Sequence, residues 1–139
     1  MIRVQTSDGA KFVLNRSPIL VVEDEPIIAM ALAYAIREAD GEVVGPAASV
    51  KKALTLLETH TVAGAIMDVN LTDGTVLPVV EHLMQRQVPL ILQSGIGIPT
   101  ALAALYPDLI VRIKPVVADV LVAELSALIA DSQLAVNGL

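Results

Sequence analysis

Five short strand-like runs, each followed by a helix-like segment, constrain this chain more than anything else in its sequence. The runs are Ile19–Val22, Glu42–Val44, Ala63–Met67, Pro89–Gln93 and Leu109–Ile113. Strands buried on both faces read as continuous apolar stretches, and strands alternating with helices form a parallel sheet with right-handed crossovers. The intervening segments supply the helices. Pro26 suits a first helical turn, and the strong helix formers of Ile27–Ala39 follow it. Ser49 is placed to cap a helix over Val50–Thr59, whose Val50, Ala53, Leu54 and Leu57 share one face. Helices are also expected over Thr75–Arg86, over a short Pro99–Tyr106, and from Val117 to about Gln133. The expected architecture is therefore α/β, a series of five βα units.

The domain is expected to occupy residues 18–133. Residues 1–17 fall outside the alternation. Ile2-Arg3-Val4-Gln5 and Lys11-Phe12-Val13-Leu14 flank Ser7-Asp8-Gly9, and Asp-Gly is a hairpin turn signal. An isolated hairpin is marginal in water, so this segment is expected to be an arm or a loosely docked hairpin. Residues 134–139 are expected to form a tail.

Composition narrows the function classes. At 139 residues the chain fits one domain that buries about 70% of its unfolded surface. It is 55% hydrophobic, yet no apolar stretch approaches the ~18 uncharged residues of a membrane span. No basic segment leads into an apolar one at the start, so no signal peptide is expected. The absence of cysteine excludes disulfides, a thiol nucleophile and cysteine-ligated zinc, and fits a cytoplasmic protein. A net charge of −6, with scattered basic residues, one Phe and two Tyr, argues against nucleic acid as a partner.

Polar residues at the strand ends carry the chemistry. In open α/β sheets the carboxyl ends of the strands form the crevice that binds ligands. Glu23-Asp24, Asp68, Ser94 and Lys114 each follow or end an apolar run. Taken singly, each has a bland explanation: an acidic turn, a helix cap, a loop start, a surface lysine. Together they supply carboxylates, a hydroxyl and an ammonium. A carboxylate such as Asp68 can attack phosphorus in line, and Mg²⁺ held by Glu23 and Asp24 would offset the repulsion between anions. Ser94 could donate to a phosphoryl oxygen, with room left by Gly95, and Lys114 could pair with carboxylate and phosphoryl group. Lys114-Pro115 is a candidate cis bond, which would aim the lysine at the crevice.

The joint pattern resembles the response-regulator receiver domain of two-component signalling from Ile19 to about Leu128. Val22-Glu23-Asp24-Glu25-Pro26 is similar to that family's acidic pair, and Asp68 matches its phosphoacceptor. Asn70 matches the position whose backbone carbonyl completes the Mg²⁺ site; Ser94 and Lys114-Pro115 match the remaining motifs. The resemblance implies a flavodoxin-like (βα)5 doubly wound sheet of strand order 2-1-3-4-5. It implies Mg²⁺-dependent phosphorylation of Asp68 from a phosphohistidine on a sensor histidine kinase or histidine phosphotransfer protein. Too little chain follows Lys114 for an output domain, so output is expected through contacts with a downstream protein.

There are departures. Val111 stands where the family usually has the aromatic switch residue, Val116 replaces a common Phe, and the Ser94–Leu109 segment is short. They leave open a receiver-like interaction scaffold that phosphorylation does not switch. An aspartate-nucleophile phosphatase ranks lower, because the acid such enzymes carry two residues after the nucleophile is Asn70 here. The protein is expected not to be an enzyme beyond its own phosphorylation and dephosphorylation. His60 and His82 read as surface or half-buried residues. The helices after Pro26 and Pro115 are apolar nearly all round, so a homodimer through them is expected.

Overall fold

The computed structural model describes residues 14–136. They form β1 (Pro18–Val22), α1 (Pro26–Glu38), β2 (Glu42–Ala47), α2 (Val50–Thr59), β3 (Gly64–Asp68), β4 (Asn70–Leu71), β5 (Gly74–Thr75), α3 (Leu77–Gln85), β6 (Leu90–Ser94), α4 (Thr100–Leu105), β7 (Ile110–Ile113) and α5 (Ala118–Val136). Five strands build one parallel sheet in the order β2-β1-β3-β6-β7. β4 and β5 pair antiparallel as a separate ribbon of two residues per strand between β3 and α3. The ribbon shifts the numbering, so the expected 2-1-3-4-5 becomes 2-1-3-6-7.

Alternate residues of a strand point to opposite faces. Leu20, Val22, Ala65, Met67, Leu90 and Leu92 pack in one core with Val50, Ala53 and Leu57 of α2 and Val79, Val80 and Leu83 of α3. Ile19, Val21, Ile66 and Ile91 pack in the other with Leu32 and Ile36 of α1 and Leu121 and Leu125 of α5. Burial on both faces explains why these strands are apolar throughout.

The helix ends follow local chemistry. Pro26 opens α1, and Ser49 caps α2 by accepting a hydrogen bond from the Lys52 amide at 3.1 Å. Asp40 ends the α1 turn at φ +64°, and the Gly41 amide bonds back to the Ile36 carbonyl. A Cβ on Gly41 would lie 2.6 Å from Leu14 Cδ1, so only glycine lets Leu14 pack there. Leu14 is buried, and its amide donates to the Ala39 carbonyl at 2.7 Å. The stretch just before β1 is thus docked on the end of α1. The rest of the expected arm, residues 1–13, lies outside the described residues. α4 is as short as expected, and α5 runs on to Val136.

Candidate functional site

Strand register assembles the crevice. Val22 aligns with Met67, Asp68 with Gln93, and Ser94 with Ile113. Glu23, Asp68 and Lys114 therefore all leave the sheet at its carboxyl end, the first two from neighbouring strands and Lys114 from β7, on the far side of β6. The Glu23 amide holds its turn in place by donating to the Ala47 carbonyl at 2.9 Å. One carboxylate oxygen from each of Glu23, Asp24, Glu25 and Asp68 lies within 4.8 Å of the others. Lys114 Nζ reaches Asp68 Oδ2 at 3.0 Å, Glu23 Oε1 at 3.2 Å and Glu25 Oε2 at 3.5 Å. The Lys114-Pro115 bond is cis.

Burial grades these groups. Glu23 and Asp68 are buried, Asp24 is half-buried and Glu25 is exposed. Burial pushes the Glu23 carboxyl up to about 7, the Glu25 amide and Lys114 oppose the shift, and the Asp68 charge adds to it. Burial alone would lower the Lys114 ammonium, but hydrogen bonds to Asp68 and Glu23, and their charges, hold it above the ordinary lysine value. Four carboxylates face one ammonium, an excess of negative charge that favours a cation. The ligand set is all oxygen, which suits a hard divalent ion such as Mg²⁺.

The structure brings together Glu23, Asp24, Asp68 and Lys114 as the sequence predicted. Asn70 stands two residues after Asp68, and its amide donates to Asp68 Oδ1 at 3.3 Å. Ser94 sits at the same end of the sheet but is engaged elsewhere. It is buried, its hydroxyl donates to the Gly97 carbonyl, and it accepts from the Ile96 amide at 3.3 Å. Alternation along β6 gives the reason: Ser94 shares the parity of Leu90 and Leu92, while Gln93 shares that of Ile91.

Sequence reasoning missed Glu25 and Gln93 as members of the cluster. Glu25 read as part of an acidic turn, and only the fold shows it near Asp68. Gln93 carried a signal, since it is a polar residue inside a run otherwise suited to burial. It is 1% exposed, and its Nε2 donates to Glu23 Oε1 at 3.1 Å. Val111 and Val116 both pack partly into the cores.

This fold and crevice agree with the family that the sequence matches. The model of the response regulator receiver domain matches residues 19–125, and the chain belongs to that family. Among solved structures it is similar to the response regulator PhyR from Brucella abortus, with 27% identity and a TM-score of 0.73 over 92% of this chain. It spans only 55% of that PhyR chain. It is also similar to SdrG from Sphingomonas melonis Fr1, with 31% identity and a TM-score of 0.64, covering 85% of this chain and 96% of SdrG. The PhyR receiver domain from Erythrobacter litoralis, at 22% identity and a TM-score of 0.62 over 85% of this chain and 90% of that one, shares the fold. No curated protein matches the sequence significantly.

Proposed function

We propose that this receiver accepts a phosphoryl group on Asp68 in a Mg²⁺-dependent reaction, as one step of a two-component phosphorelay. The observation that carries this reading is the meeting of Lys114 Nζ with Asp68 Oδ2 at 3.0 Å inside the four-carboxylate cluster. An Asp68 oxygen attacks the phosphorus of a phosphohistidine in line. The phosphorus–nitrogen bond breaks, and its electron pair stays on the departing imidazole. Asp24, Glu23, Asp68 and the Asn70 carbonyl are the groups to hold Mg²⁺, which would offset the charge of carboxylate and phosphoryl oxygens. Lys114 is in place to exchange its Asp68 contact for a phosphoryl oxygen. Ser94 must leave the Gly97 carbonyl before it can donate there, and that release is a means of coupling phosphorylation to the β6–α4 loop.

The phosphodonor is a sensor histidine kinase or histidine phosphotransfer protein, and output passes through contacts with another protein in the cytoplasm. On this reading the chain is no enzyme beyond its own phosphorylation and hydrolysis. No described helix is long and apolar enough to cross a membrane. We further propose a homodimer through α1 and α5, supported by the exposure of Ile27, Met30, Tyr34, Val117 and Val120. The chain is expected to take up phosphate from a small acyl-phosphate donor only with Mg²⁺ present, and Asp68→Asn should abolish the labelling. Equal incorporation by both proteins would remove Asp68 from the role.

One pair of observations favours a second reading, an interaction scaffold that phosphorylation does not switch. The Ser94 hydroxyl is turned to its own loop, and Val111 leaves no aromatic side chain to follow it. Amide NMR spectra with Mg²⁺ and beryllofluoride separate the two. Shifts spreading from the crevice into β7 and α5 support a switch, and shifts confined to the crevice support the scaffold.

A further inference from the structure

We propose that Gln93 is a positioning residue of the acidic crevice, its side-chain amide holding the Glu23 carboxylate in the orientation that a divalent cation requires. This deepens the metal-dependent reading above and rests on it.

A buried amide needs a partner, and an apolar residue would otherwise suit the end of a covered strand. Among the described residues, the Gln93 side chain has one hydrogen-bond partner, Glu23 Oε1 at 3.1 Å, and both residues are almost fully buried. The amide crosses from β6 to the turn after β1 to reach it. Glu23 meets donors on both oxygens. Gln93 and Lys114 approach Oε1, and the Glu25 amide donates to Oε2 at 3.1 Å. These three contacts fix where the two carboxylate oxygens point, which is what a metal ligand needs from its neighbours. Two of the three donors are fixed in place, by the backbone and by strand β6, whereas Lys114 is shared with Asp68 and Glu25. Removing the Gln93 amide leaves Oε1 dependent on that shared lysine alone. Partners that orient a metal ligand typically contribute ten- to a hundredfold to metal affinity.

The test is Mg²⁺ titration of the full chain, followed by amide NMR shifts at residues 23–25 and 68–70. Gln93→Leu and the unbranched Gln93→Met both remove the donor, and the same spectra report whether each variant is folded. The expected result is Mg²⁺ affinity weakened by about tenfold or more in the folded variants. In a Glu23→Gln background, Gln93→Met should change the affinity by less than about twofold, because its action runs through Glu23. A purely structural glutamine would weaken binding equally in both backgrounds, and that result overturns the assignment. Wild-type affinity in both variants overturns it too and leaves the Mg²⁺ reading intact. A wild-type chain that binds no Mg²⁺ overturns both.

Discussion

Glu23 sits in the least comfortable position of any carboxylate in the crevice. It is 2% exposed, beside Asp68, and its carboxyl is pushed up to about 7, chiefly by burial. A folded-state value above the unfolded one means that the folded protein holds the proton more tightly. The stability linked to Glu23 is therefore fully present below about pH 4.5 and is lost as pH rises through about 7. Glu23→Gln cannot titrate. Its stability relative to wild type in EDTA should rise between pH 5 and pH 8 by on the order of 2 kcal/mol. Urea denaturation at the two pH values checks this, and a difference independent of pH would show that Glu23 is not strained by its own charge. Mg²⁺ should narrow the gap at pH 8 by binding the ionised wild type. The sequence showed the acids at 23, 24 and 68 because each ends an apolar run. It hid Glu25 and Gln93, because membership there depends on how the β1–α1 turn folds back and on which way the last residues of β6 point. The sequence placed Ser94 at the right end of the sheet but could not show its hydroxyl turned to Gly97.

At the scale of elements, the β4–β5 turn is tied to a helix distant in sequence. Asp73 Oδ1 accepts from the Val50 amide at 2.8 Å, and Oδ2 accepts from the Lys51 amide at 3.0 Å. Those two N–H groups have no partner within α2. Their hydrogen bonds hold the Asp73 carboxyl below its ordinary range. Since its folded value is depressed, this contribution is present above the unfolded value near pH 3.8 and fades as pH falls below it. Asp73→Ala should cut hydrogen-exchange protection at the Val50 and Lys51 amides and shift the amides of residues 68–70, since the ribbon begins two residues after Asp68. Unchanged exchange at both amides would mean that Ser49 alone caps the helix. The Ser49 cap was readable because capping is local. The Asp73 contact spans 22 and 23 residues of sequence, and no local pattern announces it. The sheet strands were readable for the same reason that they are buried, as continuous apolar runs. β4 and β5, two residues each, are too short to leave a pattern, and β2 runs past Gly45-Pro46 because an edge strand tolerates proline.

For the whole molecule, the two cores cover the central strands but leave an apolar stripe exposed on α1. Ile27, Met30 and Tyr34 follow helical spacing along the outer side of α1 and are 82%, 70% and 67% exposed. Val117, just before α5, and Val120 in its first turn are exposed, and α5 packs beside α1. A helix that merely covered a sheet would carry polar groups there, and apolar patches of this kind mark contact surfaces. Both stretches start close to the chemistry: Ile27 comes just after Glu25 of the acidic cluster, and Val117 just after Lys114. Rearrangement around Asp68 therefore has a short route to this face. A stable dimer would need to bury about 1,200–2,000 Å² in total, so the interface would draw on both helices. The wild-type chain should sediment as a dimer at about 100 µM, above the dissociation constant expected of a specific interface. Met30→Glu with Tyr34→Glu should shift it to monomer and leave Mg²⁺ binding unchanged, because neither side chain enters the crevice. A monomeric wild type at that concentration, with or without beryllofluoride, would assign the stripe to a different protein partner and end the homodimer reading.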